Sequence, residues 1–250
     1  MTRMLRVEGR KLIRRKDVYI LTSILLFLSF FVNYQLALEN PALRIERTDG
    51  ISTSIPLPEL TQLLINVLSQ TGIFTVMLAV IIWNIIGREL DQKIIYHYFV
   101  NSKTRLVVYG AKILLTVKIM IVLFGMFVGS FLLFAHLLQP DRVQITYSGE
   151  DWQELGKIFL LTIFMFVIYT VCAFLFSLFF SSMGTLMGTV GLWLFFTLLK
   201  FFEEADRFNP LVFNNIYSLE SFPESLLLNF LYVALLAGAF VKLALKRDLK

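Results

Sequence analysis

"ILLTVKIMIVLFGMFVGSFLLFAHLL" occupies Ile113–Leu138 and contains a single charged residue, Lys118. About 20 apolar residues in a helix cross the hydrocarbon of a bilayer, and this run is longer than that. Lipid offers no partners to backbone amides and carbonyls, so only a helix or a closed barrel satisfies such a run. Barrel strands show short alternating segments, and this run shows none. Five further runs have the same character: Val18–Leu38, Leu63–Ile86, Ile158–Phe180, Gly184–Phe202 and Leu226–Leu245. The expected fold is an all-α polytopic membrane protein, one domain over residues 1–250 with six transmembrane helices.

Composition agrees. The chain is 57% hydrophobic and 16% charged, whereas a soluble domain averages about 25% charged. Mean hydropathy is +0.74. These values argue against two soluble domains. The single cysteine, Cys172, leaves no intrachain disulfide and no cysteine-based metal site. His97 and His136 lie far apart, outside any ligand-spaced motif. No metal site and no cofactor is expected in this chain. Net charge is +5; in a membrane protein such an excess reports topology, and no nucleic-acid partner is expected.

Lys and Arg orient the spans. With a cytoplasmic N-terminus, residues 3–16, 88–118 and 242–250 lie inside and hold 17 of the 23 basic residues. Both termini are therefore expected in the cytoplasm. The first apolar run is too long for a signal peptide, and no small-x-small site follows it. Residues 1–17 form an expected interfacial helix. Arg3, Arg6, Arg10 and Arg14 fall within about 80° of one another. That basic face suits anionic lipid; a tail that only fixes orientation is the blander reading.

Several chemistries lack their motifs. There is no Gly-x-x-x-x-Gly-Lys-Ser/Thr loop, so any ATP would be bound by another chain. No His-Glu-x-x-His and no Gly-x-Ser-x-Gly occurs. No Asp or Glu lies near a span centre, which argues against an ion-coupled carrier. Lys118 is expected about one turn into the third span. Asn33, Gln35, Asn66, Ser69, Gln70, Thr71, Thr185, Thr189 and Thr197 could line a path or bond helix to helix. Gly125 with Gly129, and Gly184 with Gly188, form Gly-x-x-x-Gly pairs that allow close helix approach, within one copy or between two; packing within the copy is expected. Ser181–Met183 forces a tight hairpin. The outer segment 203–225, with "NPLVFNNIYSLESFP", is either re-entrant or a plain loop.

The segment 87–112, "GRELDQKIIYHYFVNSKTRLVVYGAK", falls on the cytoplasmic side. Leu90, Ile94, Ile95, Tyr98 and Phe99 follow helical spacing. Glu89 and Lys93 are four apart, in the favourable order for a helix salt bridge. Arg88, Glu89, Asp91, Lys93 and Arg105 are the candidate docking residues, against the alternative of a wet loop with topogenic charge.

A basic N-terminal helix, six spans, a charged helix between the second and third and a long outer segment before the last resemble the permease subunit of type-2 ABC exporters. In that family the inner loop carries a Glu, a Gly-Thr turn, an apolar helix, a Pro/Ser turn, an Arg and a Lys. Here Glu89, Asn101-Ser102, Arg105 and Lys112 match the Glu, the second turn, the Arg and the Lys. "DQK" replaces Gly-Thr, and the second turn lacks proline. The resemblance implies a bacterial cytoplasmic membrane and a second permease copy or paralogue. It also implies two separate ATP-binding subunits that hold the ATP and Mg, docked by the cytoplasmic coupling helix. A complex that signals to, or pulls on, an envelope partner is the runner-up, and an intramembrane enzyme the third reading.

Overall fold

The computed structural model describes residues 9–10, 16–37, 73–87, 105–138, 149–199 and 222–246. Apart from Phe180 and Ser181, every described residue is helical. In chain order the elements are α1 (Lys16–Ala37), α2 (Ile73–Ile82) running into a π-helical turn (Trp83–Gly87), α3 (Arg105–Leu138), α4 (Gly149–Phe179), α5 (Ser182–Leu199) and α6 (Phe222–Lys246). Helices α1, α3, α4, α5 and α6 are each long and apolar enough to cross a membrane. The expected span Leu63–Ile86 is described only from residue 73 onward, so five such helices, not six, are established.

Two helices begin well before their apolar runs. α3 starts at Arg105, so 105–112, expected as loop, is its first two turns. α4 starts at Gly149, nine residues ahead of the expected Ile158, inside the connection between the expected third and fourth spans. Hydropathy marks where lipid begins, whereas a nucleated helix keeps adding one hydrogen bond per residue in water as well. At 1.5 Å per residue the 34 residues of α3 measure about 51 Å, well beyond a hydrocarbon core of about 30 Å.

α4 is the axis of the bundle. In its most apolar 18-residue stretch 67% of residues are buried, against 11% for α6. α3, α5 and α6 pack on α4, α1 packs mainly on α3, and α2 with its π turn packs mainly on α5. Aromatic rings fill the seams. Tyr109 of α3 meets Phe174 of α4 and Phe240 of α6 edge-on, at 6.5 and 5.6 Å between centroids. Phe124 meets Phe159 and Phe166 of α4 in the same manner. Edge-to-face pairs of this kind are favoured by the ring quadrupole.

Polar groups fix α1 against α3. Asn33 donates from Nδ2 to the carbonyls of Ser29 (2.8 Å) and Phe131 (3.1 Å). The hydroxyls of Ser29 and Ser130 meet at 2.8 Å, and Ser29 also donates to the Phe127 carbonyl at 3.4 Å. Interhelical hydrogen bonds hold helices together where lipid gives no hydrophobic drive to associate.

The hairpin between α4 and α5 turns over Phe180 and Ser181. Ser181 Oγ accepts from the Gly184 amide at 3.4 Å, and its carbonyl accepts from the Thr185 amide at 2.8 Å. A serine here caps the new helix by satisfying an otherwise unpaired amide.

Candidate functional site

The feature that best joins structure to a working role lies where α2 leads toward the charged stretch 88–104. "AVIIWNIIG", Ala79–Gly87, ends α2 in a π turn. A π turn carries one more residue than an α turn and displaces carbonyls from the regular ladder. Asn84 donates from Nδ2 to the Val80 carbonyl at 3.1 Å. One turn further, Lys112 of α3 donates from Nζ to the Ile85 carbonyl at 3.3 Å. Lys112 is fully buried, at 0% exposure, and its own carbonyl accepts from Thr116 Oγ1 at 2.9 Å.

The electrostatics suit the position. Carbonyls toward the C-terminal end of a helix carry the negative pole of its dipole, and a cation there is stabilised. The hydrogen bond is charge-assisted and shielded from solvent, which strengthens it. Its two ends are 27 residues apart, so it ties the exit of α2 to the second turn of α3. Whatever residues 88–104 do, their two stems are held together by a buried contact. The π turn also packs on α5, which extends the junction to a third helix.

Of the docking residues read from sequence, Arg88, Glu89, Asp91 and Lys93 lie outside the described residues. Arg105 is the first residue of α3. Arg3, Arg6 and Arg14 of the expected interfacial helix also lie outside, while Arg10 is helical and exposed.

The glycine pairs divide. A Cβ on Gly184 would stand 2.7 Å from Phe180 Cβ, and one on Gly188 would stand 3.0 Å from the Phe176 ring. These two glycines let α5 close onto the end of α4. At Gly125 and Gly129 an added Cβ meets nothing within 4 Å among the described residues, and both positions are exposed. Intramolecular packing, expected for both pairs, is therefore not what Gly125 and Gly129 do against the described residues; they face outward from α3.

The buried threonines of α5 do not point to a substrate path. Thr185 bonds the Ser181 carbonyl at 3.0 Å and Thr189 the Thr185 carbonyl at 2.8 Å, each back onto the preceding turn. Among the described residues no group of three or more His, Cys, Asp or Glu could hold a metal ion. In the sequence Lys112 stands out only as the match to the family's Lys at the opening of the third span, and Asn84 does not stand out at all. An Asn inside an apolar run, three residues before Gly87, was the available signal for an irregular turn.

These observations define a class: an all-helical protein with five helices fit to cross a bilayer, as in an integral membrane protein. The chain matches no protein-family model, no curated protein and no solved structure.

Proposed function

We propose that the chain is the membrane-spanning subunit of an ATP-driven exporter. In this reading Leu63–Ile86 is a sixth span, and both termini are cytoplasmic in a bacterial inner membrane. The chain pairs with a second permease and sits on two separate ATP-binding subunits, which hold the ATP and Mg. Arg88, Glu89, Asp91, Lys93 and Arg105 contact those subunits. The observation that supports the reading most is the Lys112–Ile85 tie. A segment that transmits force from a soluble partner to membrane helices needs stems that do not splay, and a buried charge-assisted bond supplies that stiffness. The positive charge concentrated on the same side is the second support.

The test is co-purification of the full chain from its own host in mild detergent, with partners identified by mass spectrometry. The expected result is a P-loop ATPase held by the wild type and released by Glu89→Lys or Arg88→Glu, with membrane insertion intact. ATP-dependent transport in inverted vesicles then separates an exporter from a complex that signals or pulls on an envelope partner. Full ATPase association in both charge-reversed variants would remove the docking assignment.

A further inference from the structure

α3 carries a second lysine that the junction does not use. Lys118 lies six residues beyond Lys112 and is exposed. At 100° per residue it falls about 180° from Phe127, whose carbonyl faces α1. Gly125 and Gly129 share its side of the helix, exposed and with open space beyond their Cα atoms among the described residues. Val107, Leu114, Ile121 and Val122 are exposed around them. The outward face of α3 is thus apolar, with one fixed cation and a strip without side chains.

Register sets the depth of that cation. Ser29 and Asn33 of α1 bond the carbonyls of Phe127 and Phe131, each across 98 residues, so α1 and α3 run parallel at that offset. Lys118 therefore stands level with Ile20, one turn or about 6 Å deeper than the exposed Lys16 that opens α1. A lysine stem can lie along apolar surface and carry its ammonium back over that distance.

The charge decides what covers the face. Two copies packed through it about an axis along the membrane normal would set Lys118 against Lys118, a repulsive contact in a medium of low dielectric. An anion at headgroup level with a hydrocarbon tail matches every part of it. We propose that this face holds an anionic phospholipid of the cytoplasmic leaflet. Its phosphate meets the Lys118 ammonium, and one acyl chain lies along Gly125 and Gly129. The proposal rests on the membrane reading and on the cytoplasmic orientation proposed above, and stands with or without an ATP-binding partner.

The test uses the full chain in nanodiscs of phosphatidylcholine with a minor fraction of phosphatidylglycerol, and native mass spectrometry of the lipid retained. Wild type is expected to retain phosphatidylglycerol preferentially. Lys118→Gln should cut that preference about fivefold, the ratio expected from one cation near a membrane surface, and Lys118→Arg should keep it. Gly125→Leu, which has room for its side chain, should also lower retention while leaving the number of copies per particle unchanged. Equal retention by Lys118→Gln and wild type overturns the proposal. So does a Gly125→Leu variant that splits an assembly of copies, which would make the face a protein interface.

Discussion

Lys112 and Lys118 stand less than two turns apart on one helix and live in opposite surroundings. Lys112 is sealed inside the bundle on the Ile85 carbonyl of the π turn, while Lys118 faces outward among apolar side chains and glycines. Six residues turn an α-helix by about 240° and advance it by about 9 Å, so the two lysines are sent to different faces. The inward one meets a carbonyl near the negative pole of another helix. The outward one meets none of the described helices, and in the proposed reading its long stem reaches a lipid phosphate from below the surface. Identical chemistry thus serves architecture in one case and, in the proposal, lipid binding in the other.

The contrast can be broken most severely at the inward lysine. Lys112→Ala removes a charge-assisted bond and leaves a cavity beside Ile85. The combined loss should be about 3 kcal/mol, read as a large drop in thermal stability in detergent. Replacement by Met refills much of the space and should recover part of that, because a buried charge is itself costly to desolvate. A Lys112→Ala variant as stable as wild type would show that the tie carries no weight.

Next in size comes Gly188→Leu, whose Cβ would press on the Phe176 ring at 3.0 Å. Overpacking at such a site costs about 1–3 kcal/mol, and the same assay should separate it clearly from Gly125→Leu. Asn33→Leu unpins α1 from α3 at about 1 kcal/mol, in keeping with modest hydrogen-bond values inside membranes; looser α1–α3 disulfide trapping between engineered cysteines would report it. The smallest effect on stability belongs to Lys118→Gln and Gly125→Leu. Each should stay within about 0.5 kcal/mol of wild type, as surface changes generally do. A large loss at either position would mean that this face is covered by protein.

Five long apolar helices were legible in the sequence because a membrane imposes a length and a composition that no tertiary contact can relax. α1, α5 and α6 follow their apolar runs to within four residues at every terminus except that α5 is described only to Leu199. The early starts of α3 and α4 were not legible, since helices continue through water where hydropathy falls silent. The π turn at Trp83–Gly87 was hidden for a related reason: apolar runs report burial and not the number of residues per turn. The two Gly-x-x-x-Gly pairs looked alike in sequence. Their difference depends on whether another helix happens to lie opposite, which spacing along one helix does not encode.

By itself the sequence determined that this chain is helical and suited to a membrane, because those properties follow from transfer free energies summed residue by residue. Tertiary structure alone decided that α4 is the axis, that Lys112 ties the turn after α2 to α3, and that Gly184 and Gly188 pack inward while Gly125, Gly129 and Lys118 look away from the described helices. Each of those outcomes depends on the rotation of one helix relative to its neighbours. Rotation is set by side-chain packing and interhelical hydrogen bonds acting together, and no single segment contains that information.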